Sequence, residues 1–208
     1  MRGQLMKIIC IGRNYQEHAK ELSNPVPSQP LVFLKPDTAL LRNNQDFYHP
    51  EFSQDIHHEC ELVYRIAKEG KFVNRRFARS YIDGIGLGID FTARDLQSVA
   101  KQKGHPWTLA KMFNHSAPVS KFLDPAEFSD WNDLRFELRV NGETRQSGWT
   151  GDMIFDLEYL IEYVTRFITL KKGDLLFTGT PSGVAAVKPG DRLQASLENQ
   201  ELLDFYVR

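Results

Sequence analysis

Cysteine is scarce in this chain of 208 residues: Cys10 and Cys60 are the only two. Each lies within an apolar run and no C-x-x-C pair occurs, so a disulfide framework and a thiolate metal or redox motif are excluded. A reducing compartment follows, and the protein is read as cytoplasmic. An excess of one charge is lacking as well. The 26 Lys and Arg residues nearly balance 27 Asp and Glu, for a formal net charge of −1, and no run of like charges occurs. That leaves no electrostatic footprint for nucleic acid or an anionic membrane. The expected partners are a small molecule and further copies of this chain, with no nucleic acid and no membrane. Long hydrophobic runs are also missing. Met1-Arg2-Gly3-Gln4-Leu5-Met6-Lys7 leads straight into Ile8-Ile9-Cys10-Ile11, too short for a signal-peptide core or a membrane span.

What is present is β-rich. Strand-like runs are predicted at 7–12, 31–34, 57–66, 82–90, 134–140, 174–178, 191–197 and 201–207, most of them bounded by Gly, Pro or Asn. Helical spacing is confined to 14–22, 92–103 and 153–168, the last with an apolar stripe of Ile154, Leu157, Leu160, Ile161 and Val164. Asn141-Gly142 predicts a hairpin turn needing positive φ, and Asn199-Gln200 a second one. Strands and helices do not alternate regularly, which argues against a doubly wound or (β/α)₈ fold. An α+β protein with a mixed, rolled β-architecture and peripheral helices fits better. The length suits one catalytic domain, residues 1–208. The Pro-rich stretch 25–30 reads as a loop.

The chemistry concentrates in a few places. Glu59 and Glu61 stand in His57-His58-Glu59-Cys60-Glu61-Leu62, and Asp90 in Gly88-Ile89-Asp90-Phe91-Thr92-Ala93-Arg94-Asp95. In a strand Glu59 and Glu61 share a face about 7 Å apart, a span that one hard cation bridges, while Cys60 points the other way. A third carboxylate from another strand end gives an all-oxygen half-shell suited to Mg²⁺ or Mn²⁺. An E-x-E pair is also, by itself, the ordinary look of a solvated strand face, so the flanking residues matter. Arg94 and Gln97 are expected on the first turns of a helix starting beside Asp90; Arg94 would either grip a carboxylate substrate or support Glu59 or Asp95. Lys111 lies in an otherwise apolar run, Pro106-Trp107-Thr108-Leu109-Ala110-Lys111-Met112-Phe113. It either reaches solvent or enters a polar pocket to stabilise negative charge. His18 and Glu21, three apart on a helix, suit a general base with its orienting carboxylate, or an exposed pair. Their place before the Pro-rich loop makes 14–30 a candidate lid. Leu176-Phe177-Thr178-Gly179-Thr180-Pro181-Ser182-Gly183 runs from strand into a Gly-rich turn whose N–H groups and Thr180 hydroxyl are expected to hold an anion.

In series, Gly12-Arg13-Asn14-Tyr15, Phe33-Leu34-Lys35-Pro36, His57-His58-Glu59-x-Glu61-Leu62, Asp90-x-Thr92-Ala93-Arg94-Asp95, Pro106-Trp107-Thr108-Leu109-Ala110-Lys111 and Thr178-Gly179-Thr180-Pro181-x-Gly183 resemble the fumarylacetoacetate hydrolase family nearly end to end. The resemblance is closest to its short branch of acylpyruvate hydrolases and oxaloacetate decarboxylases. It implies a mixed β-roll, a homodimer, and Mg²⁺ or Mn²⁺ held by Glu59, Glu61 and Asp90. It also implies a catalytic lid dyad at His18 and Glu21, with Lys111 catalytic and Arg13, Arg94, Gln97, Gly179 and Thr180 at substrate-contacting positions. The implied activity is metal-dependent cleavage of a C–C bond in a small 2-oxo acid through a pyruvate enolate. An isomerase, tautomerase or hydratase of related acids shares the same cage. A non-catalytic dicarboxylate-binding module is the alternative outside enzymology.

Overall fold

The computed structural model describes residues 6–17 and 27–208. In chain order the strands are β1 (Lys7–Gly12), β2 (Leu31–Pro36), β3 (Leu40–Leu41), β4 (Ile56–His58), β5 (Cys60–Ile66), β6 (Ile82–Ile89), β7 (Thr92–Ala93), β8 (Ala117–Pro118), β9 (Arg135–Val140), β10 (Glu143–Trp149), β11 (Leu175–Phe177), β12 (Ala185–Ala186), β13 (Arg192–Leu197) and β14 (Gln200–Tyr206). The helices are α1 (Arg94–Lys103), α2 (Thr108–Lys111) and α3 (Leu157–Phe167).

A five-stranded mixed sheet, ordered β2-β1-β11-β5-β6, forms the spine, and a four-stranded antiparallel sheet, β10-β9-β13-β14, packs beside it. This is the expected α+β roll. The inner strands of the spine are buried on both faces, which is why β5 reads as the near-continuous apolar run Cys60-Glu61-Leu62-Val63-Tyr64-Arg65-Ile66. Alternation then assigns the faces. Ile9, Ile11, Cys60, Leu62, Tyr64 and Leu176 enter the large core. Ile8, Cys10, Val63, Leu175 and Phe177 enter a smaller one behind it. Glu61 shares the face of Val63, and Cys60, fully buried, points away from it as predicted.

Local chemistry explains where elements start and stop. Asn141 and Gly142 adopt φ of 55° and 82°, the two-residue turn that joins β9 to β10. The second hairpin turns at Glu198 and Asn199, with φ of 47° and 65°, one residue earlier than predicted, because Gln200 already pairs with Leu197. The helix predicted over 153–168 starts at Leu157, where the Asp156 side chain accepts from the Tyr159 amide at 2.8 Å. Upstream, the Phe155 amide is taken by Asn14 Oδ1 at 2.8 Å instead. The segment predicted as helix over 92–103 gives Thr92–Ala93 to a strand and ends at Gly104, with φ of 67°. Of the helix predicted over 14–22, Tyr15 forms a bridge to Met153, and residues 18–26, including His18 and Glu21, lie outside the described residues.

Candidate functional site: a buried carboxylate cage

The cage is a product of strand register. In the antiparallel β5–β6 pair Cys60 faces Ile89 and Glu61 faces Gly88. The pairing runs one residue further through the Asp90 amide, which donates to Glu59 O at 2.8 Å. Glu59 and Glu61, one pleat apart, thereby meet Asp90 at the end of β6. One ligand oxygen from each of these three residues lies within 4.8 Å of the others, and all three residues are buried.

Three carboxylates this close in a dry environment need compensation. Lys111, buried at the end of α2, donates from Nζ to Glu59 Oε2 at 2.8 Å, Asp90 Oδ2 at 2.6 Å and Thr92 Oγ1 at 2.6 Å. Burial disfavours its charge, but Asp90 and Glu59 outweigh burial and hold the ammonium above the ordinary lysine range. Arg94 donates from Nη2 to Glu59 Oε1 at 2.6 Å and from Nη1 to Gln97 Oε1 at 2.7 Å, so in this structure it takes the supporting role. Glu61 receives the Gly179 amide at Oε2, 2.6 Å away. Burial, and then the charges of Asp90 and Glu59, push the Glu61 carboxyl well above the ordinary range. One oxygen, Asp90 Oδ1, is buried and accepts no well-aligned hydrogen bond. Clustered hard oxygens, an acid that resists ionising alone, and an oxygen with an open lone pair together fit a divalent cation.

The Gly-rich turn is engaged within the chain. Its Gly179 amide goes to Glu61, and the Thr180 hydroxyl donates to Cys60 O at 2.8 Å. These donors brace the cage strand, and the group that the Gly179 amide holds here is the Glu61 carboxylate. Arg13 sits just past β1 at a φ of 59°, and the next residue, Asn14, packs on Gly179 and donates to Thr178 O at 2.8 Å. Burial lowers the Arg13 pKa.

Two cations, Lys35 and Lys101, were assigned no role from the sequence. Lys35 is completely buried, with Nζ 2.8 Å from Asp90 Oδ1 and donating to Ser116 Oγ at 2.8 Å, Ser116 O at 3.0 Å and Phe91 O at 3.2 Å. Lys101, one helical turn beyond Gln97, lies over the Trp107 ring, and its ammonium is disfavoured by burial and then by the charges of Arg94 and Arg13. The clue for Lys101 was its spacing from Arg94 and Gln97, i+7 and i+4 on one helix face.

A rolled β-scaffold that gathers three buried acids within reach of one cation, with a lysine bonded to two of them, fits a metal-assisted enzyme class. The chain belongs to the fumarylacetoacetate (FAA) hydrolase C-terminal family, whose sequence model matches residues 7–207. It is 44% identical over 200 residues to oxaloacetate tautomerase FAHD1, mitochondrial, of Rattus norvegicus, covering 96% of this chain and 90% of that one. It is 43% identical over 192 residues to oxaloacetate decarboxylase, mitochondrial, of Dictyostelium discoideum, covering 92% and 88%. Among solved structures, the fumarylpyruvate hydrolase of Pseudomonas aeruginosa in complex with Mn²⁺ and pyruvate superposes with a TM-score of 0.92 at 32% identity, over 100% of this chain and 93% of that one. No helix among the described residues is long and apolar enough to cross a membrane.

Proposed function

We propose that this protein is a Mg²⁺-dependent enzyme, with Mn²⁺ as a substitute, that cleaves a C–C bond in small 2-oxo acids by acylpyruvate hydrolysis, oxaloacetate decarboxylation or both. The observation that carries the reading is the cage itself: ligand oxygens of Glu59, Glu61 and Asp90 within 4.8 Å of one another, edged by the Lys111 ammonium. The relatives' printed names, an oxaloacetate decarboxylase and a fumarylpyruvate hydrolase, support it.

When bound, the cation supplies Lewis acidity toward the carboxylate and adjacent carbonyl of a 2-oxo acid. The remaining work falls to the chain. Lys111 keeps a full positive charge beside the reacting oxygen and stabilises the negative charge that gathers there as the bond beyond C3 breaks. Arg94 holds Glu59 in place, and Arg13 is proposed to meet the substrate carboxylate. For acylpyruvates, His18 oriented by Glu21 takes a proton from water, hydroxide adds to the distal carbonyl, and the C3 carbon leaves as an enolate that is protonated to pyruvate. For oxaloacetate, loss of CO₂ yields the same enolate without water. Residues 14–30 are proposed as the lid that delivers the dyad.

Tautomerisation of oxaloacetate is the second reading, favoured by the name of the rat relative. It also passes through an enolate, that of oxaloacetate itself, formed by loss of a C3 proton with no C–C bond broken. The testing assay takes chelator-stripped protein with acetylpyruvate and with oxaloacetate, with and without Mg²⁺ or Mn²⁺. Substrate loss, pyruvate release and keto–enol exchange are followed. Metal-dependent pyruvate release supports cleavage, and exchange without pyruvate replaces it with tautomerisation. His18→Ala should abolish acylpyruvate hydrolysis while metal still binds. A homodimer in the cytoplasm is proposed as well; both cysteines are free and buried, in keeping with a reducing compartment, and light scattering tests the dimer.

A further inference from the structure

We propose that Gln146 is the positioning residue that locks the Thr178–Pro181 turn onto the cage strand and so fixes Glu61 relative to Glu59. The inference rests on the cation reading above and goes beyond it. Its origin is an irregularity in β10. Thr144 pairs with Arg139 but Gln146 pairs with Leu138, so Arg145 is an extra residue, a β-bulge. Without it, strict alternation would put Arg145 opposite buried Leu138 and turn Gln146 outward. With it, Gln146 is 1% exposed and aimed at β5. The extra residue is seated on the same turn. Gly183, at a φ of 95°, lies so close that a Cβ there would be 2.0 Å from Arg145 O.

The Gln146 amide is fully used. Oε1 accepts from the Cys60 amide at 3.0 Å and faces His58 Nδ1 at 2.9 Å. Nε2 donates to Thr180 Oγ1 at 2.7 Å and Pro181 O at 3.0 Å. A backbone N–H only donates and a carbonyl only accepts, so the amide has one possible orientation, and His58 Nδ1 must carry the proton. Thr180 then donates to Cys60 O at 2.8 Å. Gln146 therefore holds Cys60, the residue between the two glutamates, by its N–H directly and by its C=O through Thr180. The same turn places the Gly179 amide on Glu61. Gln146 acts through these groups and is placed to touch no reacting atom.

The test uses Gln146→Asn, which keeps the amide but, one methylene shorter, does not span both sides. Two readouts are taken. In metal-free protein, hydrogen exchange of the Gly179 and Thr180 amides should quicken while β1 and β6 keep their protection. Mn²⁺ affinity by calorimetry should fall about tenfold or more, the usual effect of removing a ligand's supporting partner. A folded variant with unchanged exchange at these amides and Mn²⁺ affinity within about twofold of the unaltered enzyme overturns the proposal, even if its Tm drops. If Gln146→Asn does not fold, Thr180→Val should give the same two changes and Thr180→Ser restore them; wild-type values in Thr180→Val overturn it. Should the unaltered protein fail to bind Mn²⁺, the cation reading falls, and exchange at Gly179 alone decides the role of Gln146.

Discussion

The Lys35 ammonium lies 2.8 Å from Oδ1 of Asp90, and neither residue has more than 1% of its side chain exposed. The hydrogens of Lys35 go to Phe91 O and to Ser116, so the contact with Asp90 is one of charge without an aligned hydrogen bond. Lys111 holds the other oxygen at 2.6 Å. Asp90 is thus gripped from two sides while one lone pair remains open.

Lys35→Met should cost about 3–5 kcal/mol, the usual penalty for leaving one member of a buried ion pair alone. Adding Asp90→Asn should recover part of it. Urea unfolding measures both, and a single variant as stable as the parent would show that Asp90 finds its compensation elsewhere.

Glu61 gives the metal-free enzyme a distinctive pH response. Burial, followed by Asp90 and Glu59, raises its folded pKa above the unfolded value of about 4.3. Its proton-linked stability is therefore complete below that value and lost as pH rises through the folded pKa. Metal-free protein should lose stability across that rise, Glu61→Gln should flatten the slope, and Mn²⁺ uptake should release protons in calorimetry. A slope unchanged by Glu61→Gln would assign the titration to another group.

Gly179→Ala should be doubly damaging. Gly179 has a φ of 100°, and a Cβ there would meet Asn14 Cβ at 2.7 Å. The backbone conformation alone costs an L-residue about 1–2 kcal/mol. Moving the turn also moves the amide that Glu61 accepts, so Mn²⁺ affinity should weaken along with Tm, and an affinity equal to the parent's would separate the turn from the cage.

Lys111→Met should push two measurements in opposite directions. Turnover should fall by about 10²–10³, the scale of losing one preorganised charge-stabilising donor. Mn²⁺ should bind more tightly, since the ammonium no longer competes for Glu59 Oε2 and Asp90 Oδ2. Retained turnover would remove Lys111 from the chemistry.

Sequence pattern reached the cage because a strand has period two: Glu59, Cys60 and Glu61 had to alternate, and a third acid at a strand end had to come from a neighbour. It missed Lys35 for the same reason. In β2 the apolar Leu34 is 36% exposed and the lysine beside it fully buried, the reverse of what hydrophobicity suggests. Gln146 was hidden by a single inserted residue, which shifts every later side chain of β10 to the other face. The Gly179 and Thr180 donors were visible, but not their recipients, because a turn's partners depend on tertiary packing that no local spacing encodes. Lys111, by contrast, stood out as the charged residue in an apolar run.

β1 pairs in parallel with β11, and the Gly179 amide reaches back across 118 residues to Glu61. Every acid and lysine of the cage is thus synthesised well before the turn that braces it. A nascent chain halted ahead of Leu175 carries the ligands without their frame, so the native centre is expected to assemble only after that turn has emerged. Such long-range closure also makes for slow refolding, so in a dilution experiment Mn²⁺ binding should appear with the latest kinetic phase.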